Sequence, residues 1–468
     1  MNIKKAKKTA VAVPLSLALL ASAGAGAAGA AGNDDAAKMT APTVETPATE
    51  LRSTLSQLLS THFIYQTEVA VEAYHHTKEG GPDGAGLEEA EAQLEMNSEQ
   101  LTAAVKSVYG QEAADAFAKI LDGQYDDSAA YGMAVANEDA EKIAELKEQL
   151  LVTFPTNLGT LLSDATGGNL PKETAISTLS EHEKDVIEFL NYSIEGNYDE
   201  AYAEFSEGYD RMFQTGTALA SAIVTQMPEK FNNTEAVTPA ADLRATFSQL
   251  LGEHFYYQAA TSVEAFEAAD GEGREAFEAV QEMQEANAEK MVAAVKSLYG
   301  ADAAAAFQEI FSTQYEDSAA LGEAVAAGNT EKVEEITDHL LNTFAVDLGT
   351  LLSDATGGNL PKETAIQVLQ QHEQSTIDIL NSYAAGDYEA VYSTLTEGHA
   401  LMFAIGKALS GAIVTQMPEK FSADMPTMPE TGMGGTADSA EMAWLLWALP
   451  VLALAGGLVV TRRKEEAQ

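Results

Sequence analysis

The chain has 468 residues, no cysteine and a formal net charge of −46, from 26 Lys and Arg against 72 Asp and Glu. The lack of cysteine excludes disulfides and thiolate metal sites. The negative charge argues against nucleic acid and anionic membrane surfaces as partners, because both would be repelled. Dense surface carboxylates keep proteins soluble at high salt or high pH, so we expect the source to be a salt-loving or alkaline-living bacterium.

The N-terminus predicts export. Residues 1–10 contain four lysines and no acidic residue, and an apolar run and a stretch of small residues follow. A basic start, a short apolar segment and a small-residue cleavage site are typical of a secretory signal peptide. We therefore assign residues 1–30 to a signal peptide. Residues 31–50 have little to bury and are predicted to be a disordered linker.

The body contains the same module twice. The segment Leu158–Ile176, LGTLLSDATGGNLPKETAI, recurs unchanged at Leu348–Ile366. The segment Ala222–Phe231, AIVTQMPEKF, recurs unchanged at Ala412–Phe421. Repetition of this kind indicates two copies of one structural unit.

The predicted boundaries follow from the repeat. Copy one covers residues 51–231 and copy two covers residues 243–421. Between them, the polar residues 232–242, which include Pro239, are predicted to be a linker. Each copy is long enough to have a core of its own.

Both copies are predicted to be helical. Apolar residues recur three and four positions apart, and no strand-like alternation is present. Short connections favour antiparallel neighbours, so we predict an all-α fold of two tandem up-and-down bundles with about six helices each. Pro155, where copy two has Ala345, predicts a kink in copy one. The predicted helices of copy one are 51–78, 86–108, 111–136, 139–165, 171–195 and 198–226.

Ten polar residues lie on the apolar faces of these helices. Burying such groups unpaired costs several kcal/mol, so we expect them to hydrogen-bond to one another. The same residue types occupy matching positions in both copies: His62, Gln66, Asn97, Gln124 and His182 in copy one, and His254, Gln258, Asn287, Gln314 and His372 in copy two.

Three interpretations of these residues are open. The favoured one is a hydrogen-bonded network that fixes helix register. The second is a metal site for copper, zinc or iron, with one imidazole from each of two helices and Glu72 or Glu264 as a carboxylate. The Glu-x-x-His pairs of bundle metal sites are absent at the inward positions. The third is a small-ligand pocket or a catalytic site.

The copies also carry a family resemblance. The sequence LLSTHFIYQ around His62, Asn97 before the segment AAVKSVYG, His182, and the sequence MFQTG at Met212–Gly216 resemble helical modules of exported bacillar proteins. Some of those proteins carry a copper amine oxidase label. The resemblance implies a helical module with a metal, but a histidine often found in the third helix of such modules is glutamine in both copies here.

The oxidase activity itself is not expected. That class needs three copper-binding histidines on a β scaffold and a modified tyrosine. The tripeptide Asn197-Tyr198-Asp199 matches the tyrosine motif but opens a predicted helix. Walker, Gly-x-Ser-x-Gly and His-Glu-x-x-His motifs are absent. We therefore expect a non-enzymatic protein.

The C-terminus predicts a membrane anchor. The apolar run 442–461 is about 20 residues long, enough to cross a bilayer core as a helix. The basic residues Arg462, Arg463 and Lys464 follow at once, which places the tail 462–468 in the cytoplasm and the body outside.

A pentapeptide precedes this run, inside a predicted stalk of residues 422–441. It consists of Met428, Pro429, Glu430, Thr431 and Gly432. The order of pentapeptide, apolar run and basic tail resembles the Leu-Pro-x-Thr-Gly cell-wall sorting signal of Gram-positive surface proteins. The resemblance implies that a sortase cleaves the bond after Thr431 and joins this residue to peptidoglycan. Met428 replaces the leucine of that signal with an apolar side chain of similar volume.

The sequence thus predicts an acidic surface protein, anchored to the cell wall or membrane of a Gram-positive bacterium. Its predicted partners are sortase, peptidoglycan, the membrane and an unidentified external protein. Its modules would serve structural or contact roles. The alternative is an extracellular metal-binding module that uses the inward-facing histidines.

Overall fold

The computed structural model describes residues 41–79, 85–271 and 273–422. Within these ranges every regular element is a helix and there is no strand, so the all-α prediction is confirmed there. The predicted signal peptide 1–30, the predicted sorting pentapeptide 428–432, the predicted membrane segment 442–461 and the basic tail 462–468 lie outside the described residues.

The helices of the two copies follow one another in the same order. Copy one contains α1 (Pro47–Glu79), α2 (Ala85–Tyr109), α3 (Gln111–Ala136), α4 (Ala140–Glu148), α5 (Phe154–Ala165), α6 (Lys172–Glu195) and α7 (Tyr198–Gln226). Copy two contains α8 (Pro239–Glu267), α9 (Arg274–Tyr299), α10 (Ala301–Ala326), α11 (Thr330–His339), α12 (Ala345–Ala355), α13 (Lys362–Ala384) and α14 (Tyr388–Gln416). Short 3₁₀ turns occupy Pro228–Phe231, Ala268–Asp270 and Pro418–Phe421.

The fourth predicted helix is interrupted in both copies. A π turn at Gln149–Thr153 separates α4 from α5, and another at Leu340–Phe344 separates α11 from α12. The kink predicted from Pro155 for copy one alone is therefore wrong in its cause, because copy two has Ala345 at that place and the same turn. The wider π turn changes which side chains face inward.

Two predicted linkers are shorter than the sequence suggested. Helix α1 begins at Pro47, and Val44 and Ala48 are buried, so residues 44–50 belong to the body and not to a disordered linker. Helix α8 begins at Pro239, inside the predicted linker 232–242. Proline is suited to the first helical turn because no N–H donor is needed there, and Thr238 caps the helix.

Each copy is arranged around its first helix. In copy one, α1 packs against α2, α3 and α7; in copy two, α8 packs against α9, α10 and α14. Helices α5 and α6 lie so close that a Cβ on Gly159 would stand 2.9 Å from the backbone nitrogen of Ile176. Gly349 and Ile366 repeat this approach in copy two. This contact accounts for the glycine in the repeated LGTLL segment.

The copies pack on each other reciprocally. Helix α7 of copy one packs on α9, and α14 of copy two packs on α2. Helices α1 to α14 belong to one compact unit. A continuous apolar cluster crosses the boundary, where Phe205 stacks on Tyr256 with ring centroids 4.1 Å apart.

Two ion pairs join the copies in the same reciprocal manner. Arg52 Nη1 lies 2.6 Å from Asp242 Oδ1, and Arg244 Nη1 lies 2.8 Å from Glu50 Oε1. Arg52 and Arg244 occupy equivalent positions in the repeat, as do Glu50 and Asp242. Each guanidinium also donates to a backbone carbonyl in the segment that precedes the first helix of the other copy.

The equivalent residues Phe213 and Phe403 contact each other. Their ring centroids are 5.6 Å apart and their planes are nearly parallel. A residue that touches its own repeat equivalent lies on a twofold axis. Together with the reciprocal ion pairs, this contact relates the two copies by an approximate twofold axis.

Helix α14 is the one described helix that is long and apolar enough to cross a membrane, judged by length and composition. In its most apolar window, 61% of the residues are buried inside the protein. It packs against α8 and α13, so its composition is that of a core helix.

The close approach of α5 and α6 can be tested with Gly159→Ala. We expect a loss of stability of about 1–3 kcal/mol because the new methyl group meets backbone that cannot move freely. Gly123→Ala is the control: Gly123 lies on α3 with open space around it, so this change should stabilise by about 0.5 kcal/mol. Urea unfolding measures both, and equal effects would contradict the packing described.

The ion pairs between the copies can be tested with Arg244→Ala. This buried guanidinium bonds to Glu50, Ser53 and the Val44 carbonyl, so its removal should cost about 2–3 kcal/mol. The control Arg274→Ala removes an exposed pair with Glu278 and should cost under about 0.5 kcal/mol. If thermal or urea unfolding shows no difference between the two variants, the Arg244 contacts do not stabilise the pairing of the copies.

Candidate functional site

A pair of buried histidines lies at the centre of each copy. In copy one, His62 and Gln66 are one turn apart on α1, Gln124 lies on α3 and His182 lies on α6. The His62 and His182 ring centroids are 5.4 Å apart. All four side chains are buried. The structure therefore brings together four of the five polar residues selected in copy one.

A glutamate that the sequence analysis missed completes this cluster. Glu183 is fully buried, and the amide of Gln66 donates to one of its carboxyl oxygens at 2.9 Å. The amide of Gln124 donates to the other oxygen. The same Gln66 amide also donates to the Ser128 hydroxyl. Glu183 directly follows His182, and a glutamate also follows His372 in copy two, so the repeat itself carried the signal.

Copy two repeats the cluster. Gln258 donates to Glu373 at 3.0 Å, and Gln314 donates to the other carboxyl oxygen. The His254 and His372 ring centroids are again 5.4 Å apart. The two clusters were built by separate stretches of chain, so their agreement is a property of the module.

The asparagines do not join these clusters. Asn97 donates to the Leu58 carbonyl at 3.0 Å, which ties α2 to α1. Asn287 donates to the Leu250 carbonyl at 3.2 Å and to Glu253 at 2.8 Å. The expectation that all five polar residues of a copy bond to one another is therefore wrong for the asparagine, which satisfies a backbone carbonyl instead.

The electrostatics of the cluster follow from its burial. Burial raises the pKa of Glu183 to about 8 and that of Glu373 to about 8. Burial lowers the pKa of His62 to about 4 and that of His182 well below its ordinary value. At neutral pH the histidines are thus uncharged and the carboxyl group holds its proton. The interior of each copy carries a polar but uncharged layer.

Several ring nitrogens in this layer have no hydrogen-bond partner among the described residues. Both nitrogens of His182 and the Nδ1 of His62 are unpaired in copy one. Both nitrogens of His254 and the Nδ1 of His372 are unpaired in copy two. A neutral imidazole has one donor and one acceptor, so each pair of rings retains the capacity to bind a polar group.

An apolar cavity adjoins each histidine pair. The copy-one cavity has a volume of about 110 Å³, and His62, Gln124 and His182 are among its lining residues. The copy-two cavity has a volume of about 80 Å³ and is lined by His254, Gln314 and His372 in the same way. The rest of both linings is mainly leucine, valine, alanine, phenylalanine and methionine.

The metal interpretation gains little from this geometry. No group of three or more His, Asp or Glu residues in the described ranges could hold a metal ion. The two carboxylates named for that site lie elsewhere: Glu72 accepts from the Tyr392 hydroxyl at 3.2 Å, and Glu264 accepts from the Tyr202 hydroxyl at 3.5 Å. Both contacts cross the boundary between the copies, and among the described residues neither carboxylate forms a group of three possible ligands with the histidines, so the structure does not support Glu72 or Glu264 as a ligand.

No protein-family model, no curated protein and no solved structure matches this chain.

The neutral carboxyl group predicts a pH effect on stability. Glu183 keeps its proton in the folded protein up to about pH 8, whereas an unfolded glutamate releases it near pH 4.5. The folded state therefore binds one more proton between these values. The contribution of this proton to the free energy of unfolding is fully present below pH 4.5 and is lost as the pH rises through 8.

We expect Glu183→Gln to remove this dependence. Between pH 5 and 8, the free energy of unfolding of the variant should fall less steeply with pH, by up to about 1.4 kcal/mol per pH unit. Urea unfolding at several pH values measures the slope. Glu181→Gln, an exposed site on α6, is the control. The neighbouring histidines and Asp185 are present in all three proteins, so their own titration does not change the comparison. If the free energy of unfolding of Glu183→Gln and of the parent changes with pH at the same slope, Glu183 is not neutral in the folded protein.

Proposed function

We propose that this chain is a non-enzymatic, acidic surface protein of a Gram-positive bacterium, exported by residues 1–30 and held outside the cell by its C-terminal segment. The observation that carries the proposal is the order of four features at the end of the sequence: the pentapeptide 428–432, a spacer, the apolar run 442–461 and the basic tail. This order supports sortase and peptidoglycan as partners and the membrane as a first anchor.

The body would be displayed as one rigid unit made of two up-and-down bundles. Support for this layout comes from the packing of the helices of each copy around its own first helix, α1 or α8. The reciprocal ion pairs and the shared apolar cluster support a single unit in which the two copies do not move as independent domains. A charge of −46 supports display in a medium of high salt or high pH.

The alternative is an extracellular metal-binding module. Its support is the closeness of two imidazoles in each copy. Two imidazoles are fewer than the ligands that protein sites for zinc, copper or iron commonly provide. Metal analysis after purification without chelators, compared with a His62→Ala, His182→Ala, His254→Ala, His372→Ala variant, separates it from the first proposal.

Cell-wall sorting can be tested at Thr431. After expression in a sortase-containing Gram-positive host, muramidase digestion of the walls should release the protein with a peptidoglycan fragment on the Thr431 carboxyl group, as seen by mass spectrometry. Thr431→Ala should abolish the linkage. Met428→Leu should increase the linked fraction, since leucine restores the sorting signal that the pentapeptide resembles.

One result would contradict cell-wall sorting alone, and another would contradict export. Release of the parent protein by detergent alone would mean that Met428 prevents sorting and that the protein is only membrane-anchored. Recovery of the uncut chain from the cytosol would refute export altogether.

A further inference from the structure

The strongest unexplained feature of the body is the cavity in copy one. It has an apolar wall and an uncharged polar end with free hydrogen-bonding capacity, which is the usual composition of a small-molecule site. The apolar wall includes Leu55, Leu121 and Leu158, and the polar end consists of His62, Gln124 and His182. The polar atoms without partners at this end are the His62 Nδ1, both nitrogens of His182 and the Gln124 Oε1.

We propose that this cavity binds a small uncharged amphipathic molecule, with an apolar body of about one aromatic ring and a hydroxyl group placed against His62, Gln124 and His182. A hydroxyl group donates one hydrogen bond and accepts others, so it matches neutral imidazoles and an amide oxygen. An ionised group would have to leave water for a site without a counter-charge and is excluded on that ground.

The size of the ligand follows from the volume. An engineered apolar cavity of about 150 Å³ in another protein binds benzene. A cavity of about 110 Å³ therefore takes a single ring or a short alkyl chain, with small adjustments of its walls, and nothing as large as a typical cofactor. Ordinary ligand pockets are several times larger, at about 300–1,000 Å³.

The lining also indicates where the ligand enters. The histidines at the inner end are buried, whereas Ser107 is exposed and Val108 and Tyr109 are half-buried. The Tyr109 hydroxyl donates to Gln226 at the end of α7. The cavity therefore reaches the surface near the ends of α2 and α7.

Copy two contains a natural control for this site. Phe311 stands where copy one has Leu121, and its ring lies 4.9 Å from the His254 ring, centroid to centroid. Phe247 likewise stands where copy one has Leu55. Both phenylalanines line the copy-two cavity, whose volume is about 80 Å³. Copy two keeps the polar end but has a smaller apolar part, so the two copies differ in the space available to the ligand.

The test measures the binding of phenol and of benzene to the purified full chain by isothermal titration calorimetry. Phenol should bind at one site per chain, and benzene should bind about fivefold more weakly because it leaves the ring nitrogens unpaired. A reciprocal exchange then locates the site. Leu121→Phe should weaken phenol binding at least about tenfold, whereas Phe311→Leu should create a second site. Each new side chain already occurs at the equivalent position of the other copy, so the module tolerates both.

The role of the polar end is tested separately. His182→Leu should reduce phenol affinity to that of benzene and leave benzene affinity within about twofold. If this variant does not fold, the Leu121→Phe and Phe311→Leu pair still decides whether the cavity binds the probe. The anchoring proposal has no part in these measurements, so either can fail without the other.

Three outcomes would overturn the inference. Absence of phenol binding in both the parent and Phe311→Leu would leave a cavity that takes only water. Equal affinity for phenol and benzene would show that the histidines do not contact the ligand. The third outcome is that added Zn²⁺ or Cu²⁺ abolishes phenol binding and is taken up stoichiometrically. If Leu121→Phe does not alter this metal uptake, the histidines bind a metal and not the proposed ligand.

Discussion

The centre of each copy depends on one carboxyl group with no access to water. Glu183 is held by amides from α1 and α3 while it belongs to α6, so three helices share a single acceptor. A shift of any of these helices by one residue would leave the carboxyl group buried and unpaired, at a cost of several kcal/mol. The same constraint places His62 beside His182, and Glu373 repeats it in copy two. The network that fixes the helices and the potential binding site are therefore one structure.

The pairing of the copies adds a second constraint. Most of its contacts occur twice, once from each copy, but the contacts near the twofold axis do not. Arg52 and Arg244 form equivalent ion pairs, but the contacts near the twofold axis differ. His399 bonds to Thr61 at 3.1 Å and to Tyr209 at 2.8 Å, and its repeat equivalent is Tyr209 itself. A pair of identical copies would lose this histidine–tyrosine bond. The two copies therefore differ at a position where they contact each other.

The sequence predicted the helices well because their signals are local. Apolar residues spaced three and four positions apart lie within the same few turns of helix that they predict. The linker prediction from Pro239 was wrong, because this proline begins helix α8. Glu183 was missed because an acidic residue in a very acidic chain looks like surface, and only the packing of α1 and α3 reveals that it is buried.

By itself, the sequence determined the repeat, the helical class and the ten polar positions, since all of these are periodic patterns along the chain. It also carries the terminal signals on which the anchoring proposal depends. The tertiary structure alone decided that histidine and glutamine side chains from three helices meet, that the asparagines pair with backbone instead, and that an apolar cavity adjoins the histidines. Those outcomes depend on distances between residues more than 30 positions apart in the chain, and no local pattern encodes them.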